Sequence, residues 1–147
     1  MISKIILLFG IVTAIMFSIT ANSQLISAAP ITLDVNKAKN PGPGFGEEKL
    51  GTVSIDATGT KTTITTNITA TPGQDKVFEA WLVDEGGSNY KVSLGQIIDG
   101  NLQYTANLVN PFTYTQFIIT EEPKSDPDPN AAGTFAGAQL PKPQFGQ

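Results

Sequence analysis

From residue 31 onward apolar and polar residues tend to alternate one by one, a period of two rather than 3.6. The run "ITLDV", after Pro30, starts the pattern and reads as an edge strand. Residues 36–48, "NKAKNPGPGFGEE", are punctuated by Pro41, Gly42, Pro43, Gly44 and Gly46 and predict a loop or linker. In "LGTVSIDATGTKTTITTNITA", Val53 and Ile55 share a face opposite Thr52, Ser54 and Asp56, and Ile64, Thr66 and Ile68 share a face on the return. Branched side chains suit a pleated, half-buried surface, and Thr58-Gly59 turns the chain, so these runs predict a hairpin.

"KVFEAWLV" is different, because both of its faces are apolar. Phe78, Ala80 and Leu82 alternate with Val77, Trp81 and Val83, so a strand covered on both sides is predicted. Trp81, the only tryptophan, is expected to be wedged between two stacked sheets. "YKVSLGQII" and "NLQYTANL" flank Asp99-Gly100, a strong hairpin signal. Leu102, Tyr104, Ala106 and Leu108 share one face of the second run. "FTYTQFIIT" and "TFAGAQL" predict the last strands, separated by the acidic, proline-rich "EEPKSDPDPNAAG". The sum is an all-β chain: an Ig-like or Greek-key β-sandwich, or a partly open barrel, of about 7–8 strands.

The N-terminus breaks this pattern. Lys4 precedes an apolar run over residues 5–19, followed by small and polar residues. That order describes a signal peptide, and the run is shorter than the roughly 20 residues that span a bilayer. Exits after Ala21-Asn22-Ser23 or Ser27-Ala28-Ala29 are expected, with an uncleaved membrane anchor as the rival. The predicted organisation is a signal or anchor over 1–29, an edge strand and Gly/Pro-rich linker over 30–49, a β-sandwich over 50–140 and a tail over 141–147.

Composition narrows the chemistry. The chain has 9 basic and 13 acidic residues, every base is lysine, and there is no cysteine and no histidine. Without Lys4 the balance is 8 against 13, near −5. An acidic chain lacking arginine has no electrostatic footprint for nucleic acid, and contact with a membrane is expected only through the N-terminal segment. Zinc, blue-copper, haem and iron–sulfur sites need Cys or His ligands, and imidazole-activated nucleophiles need His, so no such cofactor or catalytic residue is expected.

The remaining candidates are oxygen ligands and a sequon. Asp126, Asp128 and Asn130 alternate in "SDPDPN", a spacing that could hold calcium, but the intervening prolines and the missing EF-hand glycine and glutamate favour a solvated turn. Glu121-Glu122 and Asp84-Glu85 are adjacent pairs, and neighbours in a strand point to opposite faces, so neither makes a glycosidase dyad. Glu79 shares the face of Trp81 and is expected at an exposed sheet position, with a partly buried carboxylate paired with a lysine as the alternative. Asn67-Ile68-Thr69 is an N-glycosylation sequon with Asn67 on the outer face.

The runs "FEAWLVDEGG", "VSLGQI" and "FIITEEP…PDPNAAGTFAGAQL" resemble the C-terminal extracytoplasmic domain of RskA-type anti-sigma-K factors. The matching positions are Phe78, Trp81, Leu82, Val83, Leu94, Gly95, Thr120, Glu122, Pro123, Pro129, Gly133 and Gly137, spread over residues 50–140. The resemblance implies a β-sandwich outside the membrane, with Phe78, Trp81, Leu82, Gly95, Pro123 and Gly137 in structural roles. Only four residues precede the apolar segment, so the cytoplasmic sigma-binding domain of such factors is expected to be missing. The expected function is a non-catalytic, secreted or cell-surface module that meets a protein or envelope polymer through loops such as 84–90 and 121–132 or through an exposed sheet face. A calcium- or carbohydrate-binding module and a membrane-anchored sensor subunit are the alternatives.

Overall fold

The structure, a computed structural model, describes residues 29–108, 113–125 and 130–142. The apolar segment over 5–19 therefore lies outside the described residues, as do Asp126, Asp128 and Pro129. Eight strands follow in order: β1 (Ile31–Ala38), β2 (Phe45–Thr58), β3 (Lys61–Ile68), β4 (Lys76–Val83), β5 (Lys91–Ile97), β6 (Asn101–Ala106), β7 (Gln116–Pro123) and β8 (Thr134–Gln139). All pairings are antiparallel, and they form one sheet in the order β5-β4-β7-β8-β1-β2-β3-β6. The class is all-β, as expected.

The sheet wraps nearly shut around one core. Alternation sends Val53, Ile55, Ile64 and Ile68 inward, where they meet Phe78, Ala80 and Leu82 from β4 and Phe117 and Ile119 from β7. The ring of Phe78 lies 4.9 Å from that of Phe135. Burial of such side chains contributes about 1.5–3 kcal/mol each, and with no cysteine in the chain it is the main force holding the wrap closed. Thr62, fully buried at 0%, satisfies its hydroxyl by donating to the Leu108 carbonyl at 2.7 Å.

Three expectations are corrected here. β1 is not an edge strand: it lies between β8 and β2. The linker predicted over 36–48 contracts to residues 39–44, because the strands continue through Ala38 and resume at Phe45, and the Lys39 N–H donates to the Gly44 carbonyl at 3.0 Å. The glycines and prolines mark a tight turn, but the flanking residues still complete a ladder from Ile31↔Ile55 to Ala38↔Phe45.

The third correction concerns the turn at Asp99-Gly100. Its φ angles of 50° and 78° are those of a hairpin turn, yet β5 and β6 meet only at an Ile98↔Asn101 bridge. Beyond it β5 pairs with β4 and β6 with β3, so the turn is a corner where the sheet's two edges come together. The Ile68 N–H donates to the Gly100 carbonyl at 2.8 Å and straps that corner to β3.

The two halves of the sheet join through β1 and β8, where only Asn36↔Gly137 and Lys37↔Ala136 pair. Gly137 has no side chain to spare there: a Cβ would overlap the Phe117 carbonyl oxygen and the ring of Phe45. Gly137→Ala is expected to destabilise the fold by about 1–3 kcal/mol through overpacking. For a domain of this size that is a fall in melting temperature of roughly 5–15 °C by calorimetry. An unchanged melting temperature would show that the joint has slack.

Candidate functional site

The outer face of β4 and β7 carries the features that distinguish this sheet from a plain barrel. Trp81 is buried, only 5% exposed, but it is not wedged between two sheets as expected. Strand alternation sends Phe78, Ala80 and Leu82 into the core and Trp81 to the opposite side, where it packs with Val83 and Ile118 beneath Phe45 and Ala131. A second, small apolar cluster thus sits on the outside of the sheet, and Ala131, which precedes β8, packs over it.

A chain of hydrogen bonds pins that cover down. The Trp81 indole Nε1–H donates to Thr120 Oγ1 at 2.9 Å. The Thr120 hydroxyl donates onward to Glu122 Oε1, and the same oxygen accepts the Ala132 backbone N–H at 2.9 Å. Thr120 and Glu122 are 0% and 5% exposed, and none of the ion pairs among the described residues involves Glu122. Each buried polar group therefore finds its partner in a neighbour of the chain, which is what makes burial tolerable. Glu121, its neighbour in sequence, faces the other way, with Lys76 Nζ at 3.6 Å and the Gly73 N–H donating to it at 2.9 Å. The two carboxylates do not face one another, consistent with strand alternation.

The loop after β4 is fastened separately. Asp84 Oδ2 accepts both the Ser88 N–H and the Ser88 hydroxyl at 2.8 Å, and its carbonyl accepts the Asn89 N–H at 3.0 Å. The Ser88 Oγ in turn accepts the Tyr90 N–H at 3.2 Å. Hydrogen bonds from the Ser88 backbone and then its hydroxyl hold the Asp84 carboxyl below its ordinary value of 3.8. Thr115 secures the base of the loop by accepting the Glu85 N–H at 2.7 Å.

The two fastened segments meet. Ser88, Asn89, Tyr90 and Lys91 on one side and Asn130 and Ala131 on the other surround an open depression of about 530 Å³ floored by Trp81. Tyr90 is 60% exposed, one of two large exposed hydrophobic residues among those described. Loops 84–90 and 121–132, which sequence reasoning nominated separately, thus contribute to one concave surface.

The other nominated residues lie apart from it. Leu82 is in the core and Phe78 beside it. Gly95 sits at positive φ where the β4–β5 register shifts, Pro123 ends β7 in an exposed position, and Gly137 fills the β1–β8 joint. Glu79 is half-buried rather than exposed, because it accepts the Ser93 hydroxyl across the strand pair. Asn67 is exposed on β3, paired across to Thr52 and Asn101. Of the calcium candidates only Asn130 falls among the described residues, and there no group of three or more acids could hold a metal. Thr120 was visible only as a position of resemblance, and Glu122 as that and as half of a carboxylate pair with no catalytic geometry. Their shared parity was legible, but their partner was not until β7 was known to pair with β4.

The described residues thus form a nearly closed eight-stranded antiparallel sheet with a loop-lined depression on its outer face. The chain belongs to the family described as anti-sigma-K factor rskA, C-terminal, whose model matches residues 11–139. Nothing among the curated proteins or the solved structures matches it.

Two outcomes test the site's construction. Thr120→Val leaves the indole N–H without its acceptor and Glu122 with only the Ala132 N–H as donor, an expected cost of about 1–3 kcal/mol with a shift in the fluorescence of the single tryptophan. A spectrum and denaturation midpoint equal to the parent's would mean the chain of bonds is incidental. The Asp84 anchor has a definite sign. A carboxyl whose folded pKa is depressed stabilises the loop fully above 3.8 and loses that contribution as pH falls through the lower folded value. The Ser88 amide resonance should therefore titrate with a midpoint below 3.8 and stop titrating in Asp84→Asn. A midpoint at or above 3.8 would contradict the anchoring.

Proposed function

We propose that the chain is a non-catalytic, extracytoplasmic binding module whose partner is a protein. The convergence of residues 88–91 and 130–131 around Trp81 carries this reading. Both walls of the depression are held in place by hydrogen bonds already made in the free protein, so little ordering entropy opposes a partner there. Membership in the anti-sigma factor family supports a protein partner and a regulatory setting. The apolar run over residues 5–19 supports export, with the domain released or tethered outside the membrane.

The chemistry at the depression is that of recognition. Its lining includes Asn89 and Asn130, Lys91 and the Tyr90 ring and, among the described residues, no carboxylate; the buried Glu122 behind it is committed to the bonds that hold the cover. Aromatic and amide groups on a concave surface bind by complementarity rather than by attack on a bond.

Fractionation and photocrosslinking test both halves of the proposal. The chain is expected in the envelope or exterior fraction, with a mature N-terminus near Gln24 or Pro30 if released, or intact Met1 if tethered. A photoreactive residue placed at Asn89 is expected to crosslink a protein that the same residue at Asn67, on the far face, does not reach. Recovery in the cytosol, or identical adducts from both positions, would overturn the reading.

A further inference from the structure

The corner at Asp99-Gly100 leaves a wedge in the wall of the sheet. β5 and β6 touch at the Ile98↔Asn101 bridge, and the Leu102 side chain lies near Gly95, 4.0 Å from where a Cβ would stand. Past that contact no pairing joins them, so each presents a backbone edge to the gap. The gap's lining is apolar. Val92 from β5 and Leu102 and Tyr104 from β6 face the core yet are only partly buried, and Leu108 and Tyr114 join them.

Tyr90 immediately precedes β5 and Tyr104 lies on β6, so two tyrosines flank the gap, and Tyr114 packs partly buried against the same core. Tyrosine is the residue that interfaces favour, with a large rigid body and a polar tip. Charge is scarce: Lys91 is the only ionic residue on β5, and β6 has none.

We infer that this wedge is a docking slot for an extended segment of a partner protein, which enters between β5 and β6 and extends the sheet. The occupant follows from the walls. Two free strand edges ask for the alternating N–H and C=O groups of another strand, which neither a saccharide nor a lipid supplies. The partly buried Val92, Tyr104 and Leu108 ask for apolar residues at alternate positions, and Lys91 at the mouth fits a carboxylate on the outward face. From the Leu102 contact to Tyr90 the slot takes about 4–6 residues at roughly 3.3 Å each. The inference rests on the partner-protein reading but concerns a different surface; Tyr90 is where the slot and the depression meet.

Selection from a phage-displayed library of random dodecapeptides against the intact exported chain tests it. Peptides with alternating apolar residues and an acidic residue are expected, and hydrogen exchange of wild-type protein should slow at the amides of residues 91–93 and 104–106 when they bind. Affinity should fall at least tenfold in Tyr104→Lys and stay within twofold in Asn130→Ala. Because Tyr104→Lys could unfold the chain, the exchange pattern in the wild type is the deciding measurement. Three results would overturn the slot: no enriched peptide, exchange slowed only at residues 88–91 and 130–131, or a concentration-dependent dimer that occupies β5 and β6 with a second copy. The second result would sink the slot while leaving the partner-binding depression intact.

Discussion

The joint between β1 and β8 is the constraint on which the architecture depends. Two residue pairs, Asn36↔Gly137 and Lys37↔Ala136, link a half-sheet of β5-β4-β7-β8 to one of β1-β2-β3-β6. So short a pairing holds because side chains reinforce it: the Phe45 ring lies against Gly137, and the same ring covers the cluster around Trp81. Phe45 is therefore common to the closure of the barrel and to the burial of the tryptophan. On the other side of the wrap no equivalent joint exists, only the corner at Asp99-Gly100. The sheet is welded on one side and left ajar on the other.

That asymmetry explains why the outer cluster can exist. A barrel strand normally buries one face, and β4 and β7 bury both because residues 130–133 return over their outer side. The return is held through one carboxylate oxygen of Glu122, which meets a hydroxyl proton and a backbone N–H. Charge-assisted bonds of this kind are about twice as strong as neutral ones. Placing a carboxylate rather than an amide at Glu122 thus gives the cover a firm anchor, and Thr120, set between indole and carboxylate, serves as acceptor for one and donor to the other.

The strands were legible because alternation reports faces directly: the inward set Val53, Ile55, Ile64, Phe78 and Leu82 could be read from parity alone. What parity cannot report is which strands are neighbours. Trp81 was visibly on the face opposite Phe78, and apolarity on both sides of β4 implied two covers. One stacked sheet and one returning loop satisfy that pattern equally well, so the tryptophan was assigned the wrong cover. Asp99-Gly100 misled for the opposite reason. Its local geometry is that of a hairpin, but the backbones on either side gain more pairing from β4 and β3 than from each other. The loop over 36–48 shrank because glycine and proline fix where a chain turns without saying how far the strands beside it persist. Both loops of the depression were legible as candidate contact loops, but not that they meet, since they lie about forty residues apart in sequence.

Tyr90 stands at the junction of these features. It leaves the loop that Asp84 fastens, precedes the edge strand β5 and lines the depression. A ring 60% exposed at such a point costs solvation that folding alone does not recover. The fold does not need it there: the core closes through Phe78, Phe117 and their neighbours, and β5 is already seated on β4. An unclosed edge, a half-covered apolar lining and an exposed aromatic adjoin β5, while the other large exposed hydrophobic residue, Ile98, stands just beyond its far end. A scaffold selected only for stability would have spread or removed such departures. Their grouping along β5, on a frame whose buried polar side chains are otherwise satisfied among the described residues, is what supports placing the proposed partner there.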